Sequence, residues 1–250
     1  MKSLFQNLAL SVMLCAFASS VSGAEISAKL LAARMHETML GSAKIRVRLE
    51  TTARGAQTPV LQLMIKERRA GRTTDVAYEV LWPPARKGET IVLHQKGLSA
   101  PSGSAFIPPN TVQQLRASDM DERMFGSDLA YQDAIEDFFA WPVHSFLGSE
   151  SIGGVGCVIL ESKPGGSGTI YGKVRSWIDP HRLVPMRIEK FSRTGHLMRI
   201  IETTRVVSDQ GHPVPGSLTV SSRSGTVTKL SGSRIDRDVH FSRSDFSQTR

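Results

Sequence analysis

The stretch of sequence that decides the fold runs Met124-Phe125-Gly126-Ser127-Asp128-Leu129-Ala130-Tyr131-Gln132-Asp133. It lies between a proline-rich segment and an apolar pattern with helical spacing. The glycine lets the chain turn, and the serine and aspartate that follow are both residue types that begin helices. Four large apolar residues then recur at spacings of four, three and one, which predicts a shared helix face. They are Tyr131, Ile135, Phe138 and Phe139.

This helix is expected to end near Trp141-Pro142, because a residue before proline is driven out of the α region. A short helix with an aromatic face, in a chain that otherwise predicts strands, indicates a segment lying across a sheet. Such a segment is either a lid that moves or a plug that completes the core. The pattern leaves both open, and the choice between them decides the function.

Strict alternation of apolar and charged residues begins after the first helix, at residues 45–50, and returns at 61–65, 76–82 and 89–95. Alternation of this kind is typical of strands with one buried and one wet face, and short turns between them predict an antiparallel meander. The apolar rows are the candidate lining of a ligand cavity, together with Phe125, Tyr131, Ile135 and Phe138 from the central segment. The strand members of this set are Val47, Leu49, Leu61, Leu63, Tyr78, Val80 and Trp82.

The second half of the chain predicts further strands at 155–161, 169–179, 184–191, 196–207, 217–222 and 226–231, and residues 24–39 predict an opening helix. The segment 99–110 is interpreted as an excursion without a strand. On one of these strands Trp177 alternates with Arg175 and Asp179, opposite Val174 and Ile178, which predicts a packing position on the convex side. The fold class is α+β, mainly antiparallel β, with about ten to eleven strands.

The first 23 residues have the pattern of a secretory signal peptide: Lys2, a short apolar run, and small residues before a cut after Gly23 or Ala24. Cys15 stands too early for a lipidated cysteine and follows Leu14, so lipidation is not expected. We therefore expect export to the periplasm and one domain over residues 24–250.

Charge and composition exclude several function classes. Without residues 1–23 the chain carries 30 Lys and Arg against 23 Asp and Glu, which favours acidic partners or anionic lipid surfaces. Export and the lack of a basic-aromatic motif argue against nucleic acid. Cys157, in an apolar run, is expected to be a small core residue, and no histidine pair has metal-ligand spacing. No metal or cofactor is expected.

Several motifs occur together, in an order that is specific only in combination. They are Trp82-Pro83-Pro84 with Lys87-Gly88, Phe106-Ile107-Pro108-Pro109, the 124–133 stretch, Gly172-Lys173-Val174 with Trp177-Ile178-Asp179, Leu183-Val184-Pro185-Met186-Arg187-Ile188-Glu189, and Gly195-His196-Leu197. In this combination the chain resembles the outer-membrane lipoprotein-sorting protein family, part of the LolA-like superfamily of periplasmic carriers. The resemblance covers about residues 61–228. The residues that match its motif are Gly126, Ser127, Asp128, Tyr131, Asp133, Trp177 and Asp179.

The resemblance implies a half-open antiparallel β-barrel with helices in its mouth and an apolar cavity that holds acyl chains of a lipoprotein or lipid. It also implies a monomeric partner of an inner-membrane transporter, without catalytic residues. Asp128 and Asp133 match the family's acidic positions. A helix cap or a surface anion explains them as well as a role in gating, and the helix cap is favoured. For any single cavity candidate, a plain core position behind a fixed plug is the simpler interpretation.

Two other functions stay open on the sequence alone. One is a non-enzymatic, protein-binding accessory module of an envelope complex, such as a lipid exporter of the resistance-nodulation-division class. The other is an enzyme on the same scaffold, although no residue pattern indicates a reaction. Hydrophobic cargo retained through purification distinguishes the carrier from the accessory module.

Overall fold

The computed structural model describes residues 27–53, 56–57 and 60–247. Within these ranges the chain forms two α-helices, α1 (Ala28–Met39) and α2 (Tyr131–Ile135), and 14 strands. The strands are β1 (Gly41–Ala53), β2 (Ala56–Gln57), β3 (Leu61–Ala70), β4 (Thr73–Trp82), β5 (Thr90–Lys96), β6 (Ser102–Ile107), β7 (Thr111–Leu115), β8 (Val143–Ile152), β9 (Val155–Lys163), β10 (Tyr171–Asp179), β11 (Val184–Ser192), β12 (Leu197–Asp209), β13 (His212–Ser222) and β14 (Val227–Arg237).

All strand pairs are antiparallel and belong to one sheet, ordered β7-β6-β5-β4-β3-β1-β14-β13-β12-β11-β10-β9-β8, with β2 paired to β1. The sheet does not close, because β7 and β8 lie at its two ends, which agrees with the predicted half-open barrel. The β1–β14 pair joins the first half of the sheet, β1 to β7, to the second half, β8 to β14. Leu49 is opposite Leu230 and Thr51 is opposite Thr228 in this pair. No helix in the described ranges is long and apolar enough to cross a membrane.

The two faces of the sheet follow the alternation in the sequence. The inner face, on which α1 and α2 lie, carries the predicted apolar rows of β1, β3 and β4, for example Leu49, Leu63 and Val80. On the outer face the segment after β14 returns to the sheet, where Phe246 packs on Ala77 and Val92. The period-two pattern therefore correctly predicts the buried side of β1, β3 and most of β4.

The predicted number of strands is too low, because the two-residue β2 and the strands β6, β7 and β8 were not recognised. β6 has small residues where an alternating strand has large ones, and β7 is mostly exposed and polar. β8 is exposed along nearly its whole length at the sheet edge. Strands that bury little carry little hydrophobic pattern, so periodicity alone misses them.

Gly103 on β6 stands where the backbone of the neighbouring strand comes too close for a side chain. A Cβ at this position would lie 2.0 Å from the backbone oxygen of Val92 on the paired strand. We expect Gly103→Ala to lower the free energy of unfolding by about 1–3 kcal/mol, because the backbones must separate. Urea denaturation measures this. Gly156→Ala on β9 is the matched control, because no atom lies within 4 Å of its Cβ position; equal effects of the two substitutions would contradict the close approach.

Helix α1 begins at Ser27, whose side-chain oxygen accepts a hydrogen bond from the Leu30 amide at 3.1 Å. Residues 24–26 of the predicted helix lie outside the described ranges. Leu31, Ala32 and Met35 form its buried face and pack with the apolar residues of β9 and β10. The helix thus covers the inner face of the second half of the sheet and leaves the space between the halves to the central segment.

Candidate functional site: the lid and the inner face

The central segment, residues 116–142 between β7 and β8, covers the inner face, and we call it the lid. Its regular helix, α2, is shorter than predicted: it ends at Ile135, and Glu136 is extended with a ψ of 137°. The Asp137 carboxylate then accepts hydrogen bonds from the amides of Phe139 and Ala140, which starts a separate 3-10 turn. Phe138 and Phe139 therefore do not share a helix face with Tyr131, although both are buried.

Asp128 fastens the lid to the sheet and does not cap α2, contrary to the prediction. One carboxylate oxygen accepts hydrogen bonds from three hydroxyls of the β13–β14 hairpin, Ser222 (2.6 Å), Ser224 (2.7 Å) and Thr226 (2.6 Å). The other accepts one from Thr228 at 3.0 Å. Burial alone would raise the pKa of Asp128, but these four hydrogen bonds lower it below its ordinary value. The carboxylate therefore stays ionised while the lid is seated.

A turn with two consecutive positive φ angles aims Asp128 at the hairpin. Phe125 has a φ of 54° and Gly126 a φ of 76°. The Ser127 hydroxyl donates to the Met124 carbonyl at 2.7 Å and accepts from the Leu129 amide at 3.2 Å. The glycine and serine of the motif thus form the local turn, and the aspartate makes the contact with the sheet.

Asp133 is the centre of a buried ionic cluster beneath α2. Its carboxylate caps the helix by accepting from the Ala130 amide at 2.8 Å, as predicted, and also pairs with Lys190 at 2.8 Å and Arg199 at 3.1 Å. The Tyr171 hydroxyl donates to the same carboxylate at 2.5 Å. Burial would raise the pKa of Asp133, but the two cations and the hydrogen bonds hold it below its ordinary value.

Lys190 and Arg199 were not predicted as site residues. Both stand on the apolar side of their strands: Lys190 follows Ile188 by two residues, and Arg199 is opposite it on β12. Their side chains are 3% and 6% exposed. A basic residue in phase with an inward-facing aliphatic row is the sequence signal that could have identified them, because buried cations require a partner.

Two further groups hold the carboxyl end of α2. The Tyr78 hydroxyl donates to the Ala134 carbonyl and the Arg69 guanidinium donates to the Ile135 carbonyl, each at 3.2 Å. Last-turn carbonyls have no partner inside a helix, so these contacts stabilise both the helix end and its position. The lid is therefore bound to the sheet through polar contacts at three separate places.

The predicted cavity residues lie where the lid meets the sheet, and most are covered. Tyr78, Tyr131 and Ile135 belong to one buried cluster and Leu49, Leu61, Leu63 and Val80 to a second, with Val47 and Phe125 packed against both. Phe138 lies in a third cluster with α1. Trp82 differs from the others: it is 47% exposed and pairs with Gln62 beyond a register shift.

The inner face of β11 to β14 carries four half-buried aliphatic residues on two neighbouring rungs of the sheet, which the sequence analysis did not single out and which we call the inner-face row. Val220, opposite Ile201 and two residues after Leu218, is fully buried. The strand register places Ile188 opposite Ile201, and Leu218 opposite Leu230, which in turn is opposite Leu49. All but Leu49 keep part of their surface exposed. The same alternation that marks the first half of the chain could have identified them.

The other two motif residues lie away from the lid. Trp177 is on the outer face, as predicted, in a cluster with Cys157, Val184 and Met186, and its indole donates to Glu150 at 2.7 Å. Asp179 accepts from the His181 and Arg182 amides at 2.9 and 3.2 Å and so forms the turn between β10 and β11. Cys157 is 2% exposed, which agrees with the predicted core position.

Glu136, directly after α2, is the one lid carboxyl with a strongly raised pKa. Burial raises the pKa of Glu136 to about 7, against a smaller opposing effect of Lys190. Its ordinary pKa is 4.5, so the folded state holds the proton more tightly than the unfolded chain does. The stability that this carboxyl contributes is fully present below about pH 4.5 and is lost as the pH rises through about 7.

We expect Glu136→Gln to remove this loss and to raise the free energy of unfolding at pH 8 by roughly 1–3 kcal/mol. Urea denaturation at pH 5 and pH 8 measures the effect. Glu37→Gln, on the exposed side of α1, is the matched control. A Glu136→Gln variant that is as pH-sensitive as the unaltered protein would show that the buried carboxyl does not cause the dependence.

Comparison with known proteins agrees with this geometry. A family model described as an uncharacterized protein matches residues 105–250, which include the lid and β8 to β14. The chain belongs to this family. No curated protein matches the sequence.

Solved structures confirm the predicted resemblance at the level of the fold. A crystal structure of a DUF1329 family protein from Desulfovibrio piger is similar over 88% of this chain and 96% of its own, with a TM-score of 0.81 and 19% identity. An outer membrane lipoprotein-sorting protein domain from Vibrio parahaemolyticus is similar with a TM-score of 0.79 and 16% identity, over 88% of this chain and 96% of its own. A LolA superfamily protein from Nitrosomonas europaea is similar with a TM-score of 0.73 and 18% identity, over 90% of this chain and 99% of its own. The chain therefore has the LolA-like fold.

Proposed function

We propose that the protein is a periplasmic, non-enzymatic carrier that binds the acyl chains of a lipid or lipoprotein between the lid and the inner face. It would take its cargo from an inner-membrane transporter and pass it toward the outer membrane. The proposed signal peptide, residues 1–23, lies outside the described residues. The similar structures support the fold of such carriers, and one of them is described as a lipoprotein-sorting protein domain.

The observation that supports acyl binding most strongly is the row of half-buried aliphatic residues on β11 to β14. Partly exposed aliphatic side chains on the inner face can contact one end of a chain before the lid moves. Each methylene removed from water contributes about 0.8 kcal/mol, so a chain lying along this row is held by many small gains. The row is Ile188, Ile201, Leu218 and Leu230.

Longer cargo would have to displace the lid. Its apolar side chains, such as Ile135 and Met124, cover the residues of β3 to β5, and its polar contacts at Asp128 and Asp133 are made with the other half of the sheet. Because α2 has one and a half turns, its own hydrogen bonds do little to hold it in place. The seated lid is then the empty form, and acyl chains take the place of the lid side chains in the loaded form.

Native mass spectrometry of the exported protein, purified from a membrane-containing host, tests this proposal. We expect a discrete added mass that extraction identifies as a phospholipid or an acylated peptide. A protein that carries no added mass, and gains none after incubation with phospholipid vesicles, would contradict the carrier function.

That negative result would favour the accessory protein-binding module, for which β8 is the supporting observation. This ten-residue strand lies at the sheet edge and exposes Val143, Phe146 and Leu147 by 51%, 37% and 47%. An exposed edge strand can pair with an extended segment of a partner. Loss of a co-purifying envelope protein on Leu147→Lys, which changes an exposed side chain of this edge strand, would support that role.

A further inference from the structure

A polar cleft at one end of the lid is not explained by acyl binding. It has a volume of about 300 Å³ and lies where α1, the end of the lid and the β3–β4 and β5–β6 turns meet. Its walls include His36, Arg72, Gln95, Asp137 and Trp141. His36 and Asp137 are joined by a hydrogen bond of 2.5 Å across the cleft wall, so the side chains there are already in position.

The cleft borders a much smaller niche of about 10 Å³, with which it shares the lining residues Gln95, Leu98 and Trp141. Glu136 lines this niche. The residue is 4% exposed, and no hydrogen bond of good geometry reaches either carboxylate oxygen, although the side chains of Thr169 and Gln132 are close enough to lower its pKa. The Gln132 side-chain nitrogen, one helical turn earlier, is also buried without a partner. Unpartnered buried groups of this kind cost free energy unless a ligand or water satisfies them.

The roof of the niche is a glycine-rich loop that fits closely on its neighbours. A Cβ at Gly168 would lie 1.9 Å from the Leu98 carbonyl oxygen, and one at Gly165 would lie 2.8 Å from the Pro142 ring. Side chains at these positions would push the loop away and open the niche. With the glycines in place, the niche admits one group of about the size of a water molecule.

We propose that the niche receives the protonated primary amine of a ligand headgroup, while the adjoining phosphate lies in the cleft beside Arg72. This inference rests on the proposed carrier function and assigns its cargo a phosphoethanolamine headgroup. A primary ammonium has the size of a water molecule and donates to a carboxylate, and a guanidinium pairs with phosphate. The trimethylammonium of choline exceeds the volume of the niche, so the site distinguishes the two headgroups.

The charges around Glu136 permit a bound cation. Lys190 is the nearby cation, and its ammonium is paired with the Asp133 carboxylate at 2.8 Å, which in turn pairs with Arg199. Thr169 and Gln132 are the polar neighbours from the glycine-loop side and from α2. Since burial raises the pKa of Glu136 to about 7, an entering ammonium favours ionisation and releases a proton. Binding should therefore be tighter at pH 8 than at pH 6.

Isothermal titration calorimetry with dihexanoyl phosphatidylethanolamine and dihexanoyl phosphatidylcholine at pH 7.5 tests the inference. We expect the ethanolamine lipid to bind at least tenfold more tightly. Glu136→Gln should reduce this preference to twofold or less, while Glu37→Gln keeps it. Equal affinities in the unaltered protein, or a full preference in Glu136→Gln, would overturn the inference and leave the carrier function intact.

Free phosphoethanolamine separates the headgroup from the acyl chains. If neither lipid binds, the carrier function fails, and Glu136-dependent binding of phosphoethanolamine alone would still support the niche as a site for a soluble ligand. If phosphoethanolamine also gives no heat at millimolar concentration, the niche is a water site and the inference is wrong. A thermal melt of Glu136→Gln beforehand shows that the variant is folded.

Discussion

Asp133→Ala is expected to lower the free energy of unfolding by about 3–5 kcal/mol, because it leaves the buried ammonium of Lys190 without its ionic partner, whereas Arg199 keeps Asp121 at 2.8 Å. Lys190 and Arg199 are 3% and 6% exposed, and Asp133 pairs with both. The substitution also removes the acceptor for the Ala130 amide at the start of α2. Chemical denaturation monitored by tryptophan fluorescence measures the loss.

Two further variants test whether this loss comes from the buried ion pairs. Asp236→Ala breaks an ion pair with Arg234, whose side chains are 41% and 71% exposed, and should cost less than about 1 kcal/mol. Adding Lys190→Met to Asp133→Ala should recover part of the loss, since it removes the cation that the first substitution leaves unpaired. Equal losses for Asp133→Ala and Asp236→Ala would contradict a buried ionic cluster under the lid.

A disulfide between the lid and the sheet is expected to reduce lipid retention strongly. Asp128→Cys with Thr228→Cys joins two positions whose side-chain oxygens lie 3.0 Å apart, in a Cys157→Ala background. With the lid fixed, acyl chains cannot take the place of its apolar residues. The retained lipid, measured by native mass spectrometry, should fall at least tenfold on oxidation and return on reduction.

The reduced form of the same variant is the control, because it also lacks the side chains of Asp128 and Thr228 but leaves the lid free to move. A background protein with only Cys157→Ala should show no response to the redox treatment. Unchanged lipid retention in the oxidised form would show that cargo binds without lid movement, on the half-buried residues of β11 to β14 alone.

The faces of the strands could be predicted well because burial on one side imposes a period of two. Ile45, Val47 and Leu49 and the row of Val76, Tyr78 and Val80 face inward as the alternation indicates. The turn after β11, with Gly195 at a φ of 83°, also follows from local residue preferences. Both signals depend only on residues that are close together in the chain, so a single sequence is enough to detect them.

The missed features depend on partners that are distant in the chain. The helix was overextended because Phe138 and Phe139 are apolar at helical spacing, whereas Asp137 accepts two amide hydrogen bonds and starts a new turn. Asp128 matches a helix cap in sequence, but its partners stand about a hundred residues later on β13 and β14. Pairings over such separations leave no periodic trace.

In the candidate site too, the features set by nearby residues were predicted and those set by distant residues were missed. The apolar lining of the first half was predicted from alternation, although it lies under the lid and not in an open trough. Glu136 gave no signal, because its raised pKa results from burial under a loop that joins β9 to β10. The sequence thus predicted a covered apolar face, and only the structure shows how the cover is attached.

Photo-crosslinking with a phospholipid that carries a diazirine at the end of one acyl chain tests acyl binding on the inner face most directly. After irradiation and peptide mapping, we expect adducts on the inner-face row, at Ile188, Ile201, Leu218 and Leu230, and on the lid residues around Ile135. Adducts confined to the outer face, around Trp177 or Phe246, or no adducts at all, would contradict it.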